Sequence, residues 1–316
     1  MARPSRLAGL IEDIVSQCQP RAPSLIVTVL GDMIAPHGGA FWLGSLIRLL
    51  APLGLSQRLV RTSVFRLTRE DWLTSVQIGR RSYYSLTATA LRRCEEAFGR
   101  IYHHAAGPWS GDWCVVLLGF GALDGEARER ARRELQWQGF GAVAPWVLAH
   151  PTATPQAVHG KLEAIGLADG VLIMRAGAED ITPRQTMDAF VRSCWDLDRL
   201  TRDYTGFLDL FRPALGALEN GADNPEQCFL LRTLLMHEYR RLTLRDPQLP
   251  EELLPHDWAG TAARLLTRNL YHRIWAPADA HLCATVVTAE GPLPAVQSAY
   301  FTRFGGLSSA PAAVAS

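Results

Sequence analysis

Residues 56–69 read SQRLVRTSVFRLTR, and Arg58, Arg61, Arg66 and Arg69 all fall within them before the first acid, Glu70. A helix turns by about 100° per residue. On that spacing Val60, Val64 and Leu67 share one side. Arg58, Thr62, Arg66 and Arg69 share the other, with Arg61 at its margin. A guanidinium is a planar fork of donors that matches phosphate and the O6/N7 edge of guanine, and a threonine methyl can meet the methyl of thymine. The chemistry open to such a face is recognition of a polyanion. Phe65 falls near the arginine side and is expected to pack under the segment that follows. Ser56 stands where a helix needs its N-cap.

That segment, WLTSVQIGRRSYYSLT, is two β-prone runs around Gly79-Arg80-Arg81, a hairpin with both arginines at its tip. Arginines there suit phosphate or minor-groove contact. The elements before and after must hold helix and hairpin together. SLIVTVLGDMI (24–34) predicts a helix capped by Ser24 and broken by APHGG. AFWLGSLIRLLAPLG predicts a second helix, closed by Pro52 and Gly54. The arginine helix is the third. After the hairpin, Thr87 caps ATALRRCEEAFGRIYH, with Leu91, Cys94, Phe98, Ile101 and Tyr102 along one side. Three helices, a hairpin and a helix are the order of a winged helix-turn-helix, whose third helix enters the major groove. Residues 1–23 precede it as an amphipathic extension on Leu7, Leu10, Ile11, Ile14 and Val15.

Charge is distributed accordingly. The chain has 316 residues and a net charge of +1, but residues 21–104 carry 11 arginines against 5 acids. The remainder after residue 104 is acidic, so a polyanion partner is expected for the first part only. Hydrophobic content of 48% allows sizeable cores, and the length fits two or three domains. No stretch is long and apolar enough to span a membrane. Cys18, Cys94, Cys114, Cys194, Cys228 and Cys283 are scattered, as for reduced thiols in the cytoplasm.

AAGPWSG (105–111) predicts a linker. Beyond it DWCVVLLGF reads as a strand, DGEARERARRELQWQ as a helix and GAVAPWVLAH as a strand or strand pair. PQAVHGKLEAIG then reads as a helix and GVLIMRA as a strand, which predicts a small ferredoxin-like domain. From about residue 185 the apolar spacing is helical, and 308–316 reads as a frayed tail. The fold class is therefore multidomain α+β. Its expected parts are the extension (1–23), the DNA-binding domain (24–104), the ferredoxin-like domain (105–182), a helical C-terminal domain (183–307) and the tail.

Other motifs carry less. LLGFGALDG places Gly119, Gly121 and Gly125 between a strand and a helix, but no acid follows to hold a ribose. MHEYRR (236–241) has Arg241 where H-E-x-x-H needs its second histidine, and His103-His104 cannot face one site from a helix, so no metal centre is predicted. The alternative is an enzyme on the middle domain: Asp112 and Asp124 are the carboxylates a metal-dependent nuclease would use, and no second cluster joins them, while an acyl-CoA-acting enzyme would need a G-x-S-x-G or Cys-His pairing that the sequence does not show. Arg240, Arg241, Arg245 and Asp246 read either as an ion-pair network or as an anion site.

LGSLIRLLAPLGLSQRLVRTSVFRLTREDWL, IGRRSYYSLT, LQWQGFGAVAP, HEYRRLTLRDPQLPEELLPHDWAG and YFTRFGGL together resemble the PaaX family of bacterial transcriptional repressors. The likeness runs in order from about residue 24 to 307. It implies a winged-helix domain, a Cas2-like ferredoxin-type middle domain and a helical C-terminal domain. It also implies a cytoplasmic homodimer on double-stranded operator DNA of phenylacetic acid catabolic genes, released by phenylacetyl-CoA, with no cofactor and no enzymatic activity. The family's recognition helix falls on Arg58, Arg61, Thr62 and Arg66, and its wing on Gly79, Arg80, Arg81 and Ser82. With Ser56 and Arg69, these make the expected DNA-contacting set. For an acyl-CoA, cations must meet phosphates and aromatic side chains the phenyl group. Arg240, Arg241 and Arg245 beside Tyr239, Trp258 and Tyr271 are the residues expected to do this.

Overall fold

The structure is a computed structural model that describes residues 6–103, 108–120, 123–177, 183–218 and 224–307. His104, part of the expected linker, Gly121 of the glycine motif and the expected tail lie outside the described residues.

Helix α1 (Arg6–Cys18) buries Leu7, Ile11 and Ile14, the stripe its sequence predicts. Helix α2 (Ala22–Val29) starts earlier than expected. Pro23 sits in its first turn, where a missing N–H breaks no hydrogen bond. Ser24 does not cap it; its hydroxyl and carbonyl oxygens accept from Arg240 at 3.2 and 3.3 Å. Residues 24–34 are not one α-helix either. The chain widens into a π turn over Leu30–Ile34 and then tightens into a 3-10 turn over Ala35–His37. Gly38 and Gly39, with φ of 91° and 80°, reverse it.

The expected helix over residues 40–54 splits into a strand, β1 (Ala40–Trp42), and a helix, α3 (Leu43–Leu50). Next come α4 (Gln57–Arg69), β2 (Leu73–Ile78), β3 (Arg81–Leu86) and α5 (Ala88–Tyr102). The strands form one antiparallel sheet in the order β1-β3-β2. Aromatic side chains decided β1's fate: Phe41 pairs with Tyr84 in register, and the two rings stack at 5.9 Å. Ile78 pairs with Arg81, so the hairpin turn is Gly79-Arg80 alone, with Gly79 at φ 60°. Arg81 is therefore the first residue of β3 rather than part of the tip.

The middle of the chain runs β4 (Asp112–Leu117), α6 (Gly125–Trp137), β5 (Gly141–Ala144), β6 (Val147–His150), α7 (Pro155–Ala164) and β7 (Leu172–Gly177). Its antiparallel sheet has the order β5-β6-β4-β7. A βαββαβ chain wound into that order is the ferredoxin-like fold. Asp124 and Thr154 cap the two helices, accepting from Ala127 N at 2.8 Å and Ala157 N at 3.3 Å. Val116, Leu118, Leu135, Leu148 and Leu162 meet in the core between helices and sheet. Asp112 lies near Arg175 at 3.6 Å. Neither acid that a nuclease reading would use thus stands free.

Then follow α8 (Arg184–Cys194), α9 (Leu197–Leu218), α10 (Pro225–Thr243), α11 (Ala259–Thr285) and a short hairpin of β8 (Val287–Thr288) and β9 (Gly291–Pro292). The chain divides into two compact units that do not follow its order. The first comprises Met1–His104, Thr205–Arg241 and Thr261–Ser316; the second comprises Ala105–Tyr204 and Leu242–Gly260. Residues 183–307, expected as one domain, contribute to both.

At the centre of the first unit lies an ionic node. The Asp32 carboxylate accepts from Arg232 Nε at 2.8 Å, Arg303 Nη1 at 3.1 Å, Tyr102 Oη at 2.5 Å and Tyr271 Oη at 3.1 Å. Its backbone carbonyl, in the π turn, accepts from Arg232 Nη2 at 3.1 Å and Arg303 Nη1 at 2.7 Å. Burial opposes ionisation of Asp32. The charges of Arg232 and Arg303, with hydrogen bonds from Tyr102 and Arg232, outweigh it and hold the carboxyl below its ordinary range.

Candidate nucleic-acid interface

Helix α4 is built locally. The Ser56 hydroxyl accepts from Leu59 N at 3.3 Å, closing the first turn, and Val60, Ser63, Val64 and Leu67 are buried. Every other residue from Gln57 to Arg66 is exposed, and so is Arg69. The structure thus brings Arg58, Arg61, Thr62, Arg66 and Arg69 onto one open face. Two of these arginines are held. With its amide oxygen turned toward the donors, Gln57 accepts from Arg61 Nη2 at 3.0 Å and Nε at 3.1 Å. Arg66 Nε donates to Glu70 at 2.6 Å in an exposed i,i+4 pair. Thr62 Oγ1 donates to the Arg58 carbonyl at 3.0 Å, so its proton is committed to the helix and its methyl remains to offer.

Phe65 corrects the expectation drawn from its sequence. It does not pack under the hairpin; its side chain is 65% exposed. One turn of helix separates it from Arg61 on one side and Arg69 on the other. Hydrophobicity alone argued for burial. Its position near the arginine side was the signal that argued otherwise. Two more exposed apolar residues, Val76 and Ile78, lie on one side of β2, the edge strand of the hairpin.

On the hairpin, Arg80 sits at the turn and makes no ion pair among the described residues. Arg81 is different: its guanidinium lies over the Trp42 ring at 4.7 Å, and Arg48 lies over the same ring at 5.4 Å. Trp42 leaves no room for a side chain at residue 44, where a Cβ would come within 2.4 Å of the ring. Ser82 is half-buried, paired in register with Gln77.

The six residues expected at an effector site have different surroundings. Tyr239, Arg240, Arg241 and Tyr271 belong to the first unit, Arg245 and Trp258 to the second. Tyr271 is fully buried, with its hydroxyl donating to Asp32 in the ionic node. Tyr239 is buried beside Phe207 and Phe304. Arg241 is held by the Glu238 carboxylate at 2.8 Å. In the second unit Trp258 packs edge-on against Tyr204, whose hydroxyl donates to Asp246 at 2.7 Å. Arg240 stands apart. It is half-buried, donates to the Ser24 carbonyl and hydroxyl oxygens, and leaves its Nε unpartnered among the described residues. Burial lowers its pKa. Neighbouring His237 is pushed down to about 3, by burial first and then by the Arg240 and Arg241 charges.

Three family models match the chain in sequence order. A PaaX-like protein model covers residues 21–90, a PaaX protein central Cas2-like domain covers 106–187, and a PaaX-like protein C-terminal domain covers 195–284. The transcriptional repressor PaaX of Escherichia coli (strain K12) is 41% identical over 305 residues, 96% of each chain. The chain belongs to the PaaX family. The helices and hairpin from α2 to β3 fall within the first PaaX model, and the ferredoxin-like part, β4 to β7, falls within the central Cas2-like model. That relative is named as a transcriptional repressor, a regulator rather than an enzyme. An uncharacterized protein from Mycobacterium tuberculosis shares the fold at 23% identity, with a TM-score of 0.51 over 80% of this chain and 96% of its own. Among the described residues, no helix is long and apolar enough to cross a membrane.

Proposed function

We propose that the chain is a transcriptional repressor of phenylacetic acid catabolic genes that grips double-stranded operator DNA with α4 and the β2–β3 hairpin. One observation carries this reading: the open face of α4, with Arg58, Arg61, Thr62, Arg66 and Arg69 and a capped N-terminus, in a chain 41% identical to a transcriptional repressor. Arg58 and Arg61 lie nearest the N-terminus of the helix, the end that reads base edges in helix-turn-helix proteins. Arg80 at the turn contacts phosphate. Two copies of the chain address half-sites about one helical turn, or a multiple, apart.

The effector we propose is phenylacetyl-CoA, bound better by the DNA-free form than by the DNA-bound form, because a ligand without that difference shifts nothing. The family resemblance is the source of this reading. Arg240 supports it as a cation of the C-terminal region with no carboxylate partner among the described residues. Mobility shift on operator DNA tests the first part. Arg61→Ala loses sequence-specific binding while circular dichroism and the unfolding midpoint stay at wild type; retained specific binding sinks the assignment of α4. Titrating the complex with phenylacetyl-CoA, beside free CoA and phenylacetate, tests the second part. Release by the thioester alone supports it, and a complex indifferent to all three removes it.

A further inference from the structure

His37 ends the 3-10 turn that leads into β1, and its ring is buried. Its Nδ1 lies 2.6 Å from the carbonyl oxygen of Pro294. A carbonyl only accepts, so Nδ1 carries the proton. Its Nε2 lies 3.0 Å from Asp279 Oδ1, which as a carboxylate also only accepts. Two electron-pair donors face each other, and a cation must sit between them: a second proton or a metal ion. A third donor points to the metal. Cys283 lies one helical turn beyond Asp279 on α11, on the same face, with Sγ 4.0 Å from Asp279 Oδ2. The ligand atoms of His37, Asp279 and Cys283 all lie within 4.8 Å of one another.

We infer that His37, Asp279 and Cys283 form a binding site for a divalent transition metal of the zinc type. Bonds of about 2.0–2.3 Å put tetrahedral donors about 3.3–3.8 Å apart, so closing the site asks for small movements, chiefly of the exposed Cys283 side chain. An imidazole nitrogen and a thiolate select zinc-like ions over magnesium or calcium, which prefer all-oxygen shells. The Pro294 carbonyl supplies what ligating histidines ordinarily have, an acceptor for the other ring N–H that fixes tautomer and orientation. Carboxylate and thiolate neutralise the dication, the thiol proton leaves to solvent, and the fourth position opens on the exposed side. Histidine comes from the turn at the root of the winged sheet, and the other two ligands come from α11. The metal would clasp these segments beside three existing links, from Gln297 N to Pro36 O at 3.1 Å, Val287 N to Ser45 Oγ at 3.3 Å and Arg48 Nη2 to Thr285 O at 3.1 Å. The separation of 242 residues between His37 and Asp279 hid this set from motif reading.

Cobalt(II) titration of the untagged, metal-free full chain, reduced with a phosphine, tests the site. The expected result is one equivalent bound, a sulfur-to-cobalt charge-transfer band in the near ultraviolet and visible bands of a tetrahedral centre. Zinc then displaces the cobalt and raises the thermal midpoint by several degrees. Cys283→Ser, a change at the surface, loses the charge-transfer band and binds at least tenfold more weakly. Asp279→Asn weakens binding with the band retained. A wild-type chain that gives no stoichiometric binding overturns the site. So does a Cys283→Ser variant that keeps the band, since another cysteine would then be the ligand. Neither readout involves DNA, so the test stands whether or not α4 reads an operator.

Discussion

Arg61 and Arg232 carry the same guanidinium into opposite settings. Arg61 lies on the open face of α4, held only by the Gln57 amide, while Arg232 is wholly buried, with its donors on Asp32, Tyr300 and the Asp32 carbonyl. A charge whose partner is inside the protein is unavailable to DNA, and one with no fixed partner adds little to stability. The first unit thus carries arginine exposed on one surface, where the proposed function uses it, and buried as a lock on its own core. Net charge alone distinguishes neither role, because it counts both alike.

The sharpest way to break this division is Asp32→Asn. It leaves two buried guanidiniums without their counter-charge and is expected to cost about 3–5 kcal/mol, read from the urea midpoint at constant slope. Arg61→Ala should stay within about 0.5 kcal/mol of wild type in the same measurement. A small effect at Asp32 would show that the node is dispensable.

Acid should act on the interior before it acts on the exposed face of α4. His237 is neutral when folded, with its pKa pushed down to about 3, and titrates near 6.5 when unfolded. Its contribution is fully present above about pH 6.5 and is lost as pH falls toward 3, at up to about 1.4 kcal/mol per pH unit. The Asp32 contribution begins to fall only below about pH 4, the ordinary carboxyl range, since its pKa is lowered further. Stability measured in pH steps should fall in that order, and His237→Gln should flatten the first stage.

On the exposed side the effects belong to binding. Arg58→Ala should cost about 1–3 kcal/mol on the specific operator and much less on random DNA. Phe65→Ala should cost about 1 kcal/mol, and replacing operator thymines by deoxyuridine, which removes only the 5-methyl, should reproduce part of that loss in wild type and none in the variant. Arg80→Ala should weaken all sequences alike and reduce the salt slope by about 1. Glu70→Gln, which frees Arg66, should leave the unfolding midpoint near wild type and tighten non-specific binding at low salt.

What the sequence made legible follows from distance along the chain. Helix α4 was readable because its cap, its apolar stripe and its arginines all lie within 14 residues, and the ferredoxin-like order because its strands and helices alternate locally. Ser24 was misread as a cap because its partner, Arg240, lies 216 residues away. The strand at residues 40–42 was missed because its pairing with β3 is tertiary. Phe65 was sent inward by its hydrophobicity, although most of its side chain is exposed. The effector set grouped residues close in sequence, and the fold assigns them to two units and commits Tyr271 to the Asp32 node.

The Asp32 node also bears on how the molecule is made. Asp32 waits for partners 200 and 271 residues further along the chain. As the polypeptide leaves the ribosome, the winged region is complete long before Arg303 exists, and its buried carboxylate has no counter-ion in the interval. Contacts of such sequence separation make folding slow and leave early segments exposed. A nascent or truncated chain ending after residue 104 should therefore be a poor DNA-binder however complete its helix and hairpin, so the operator is addressed only by chains synthesised nearly to the end.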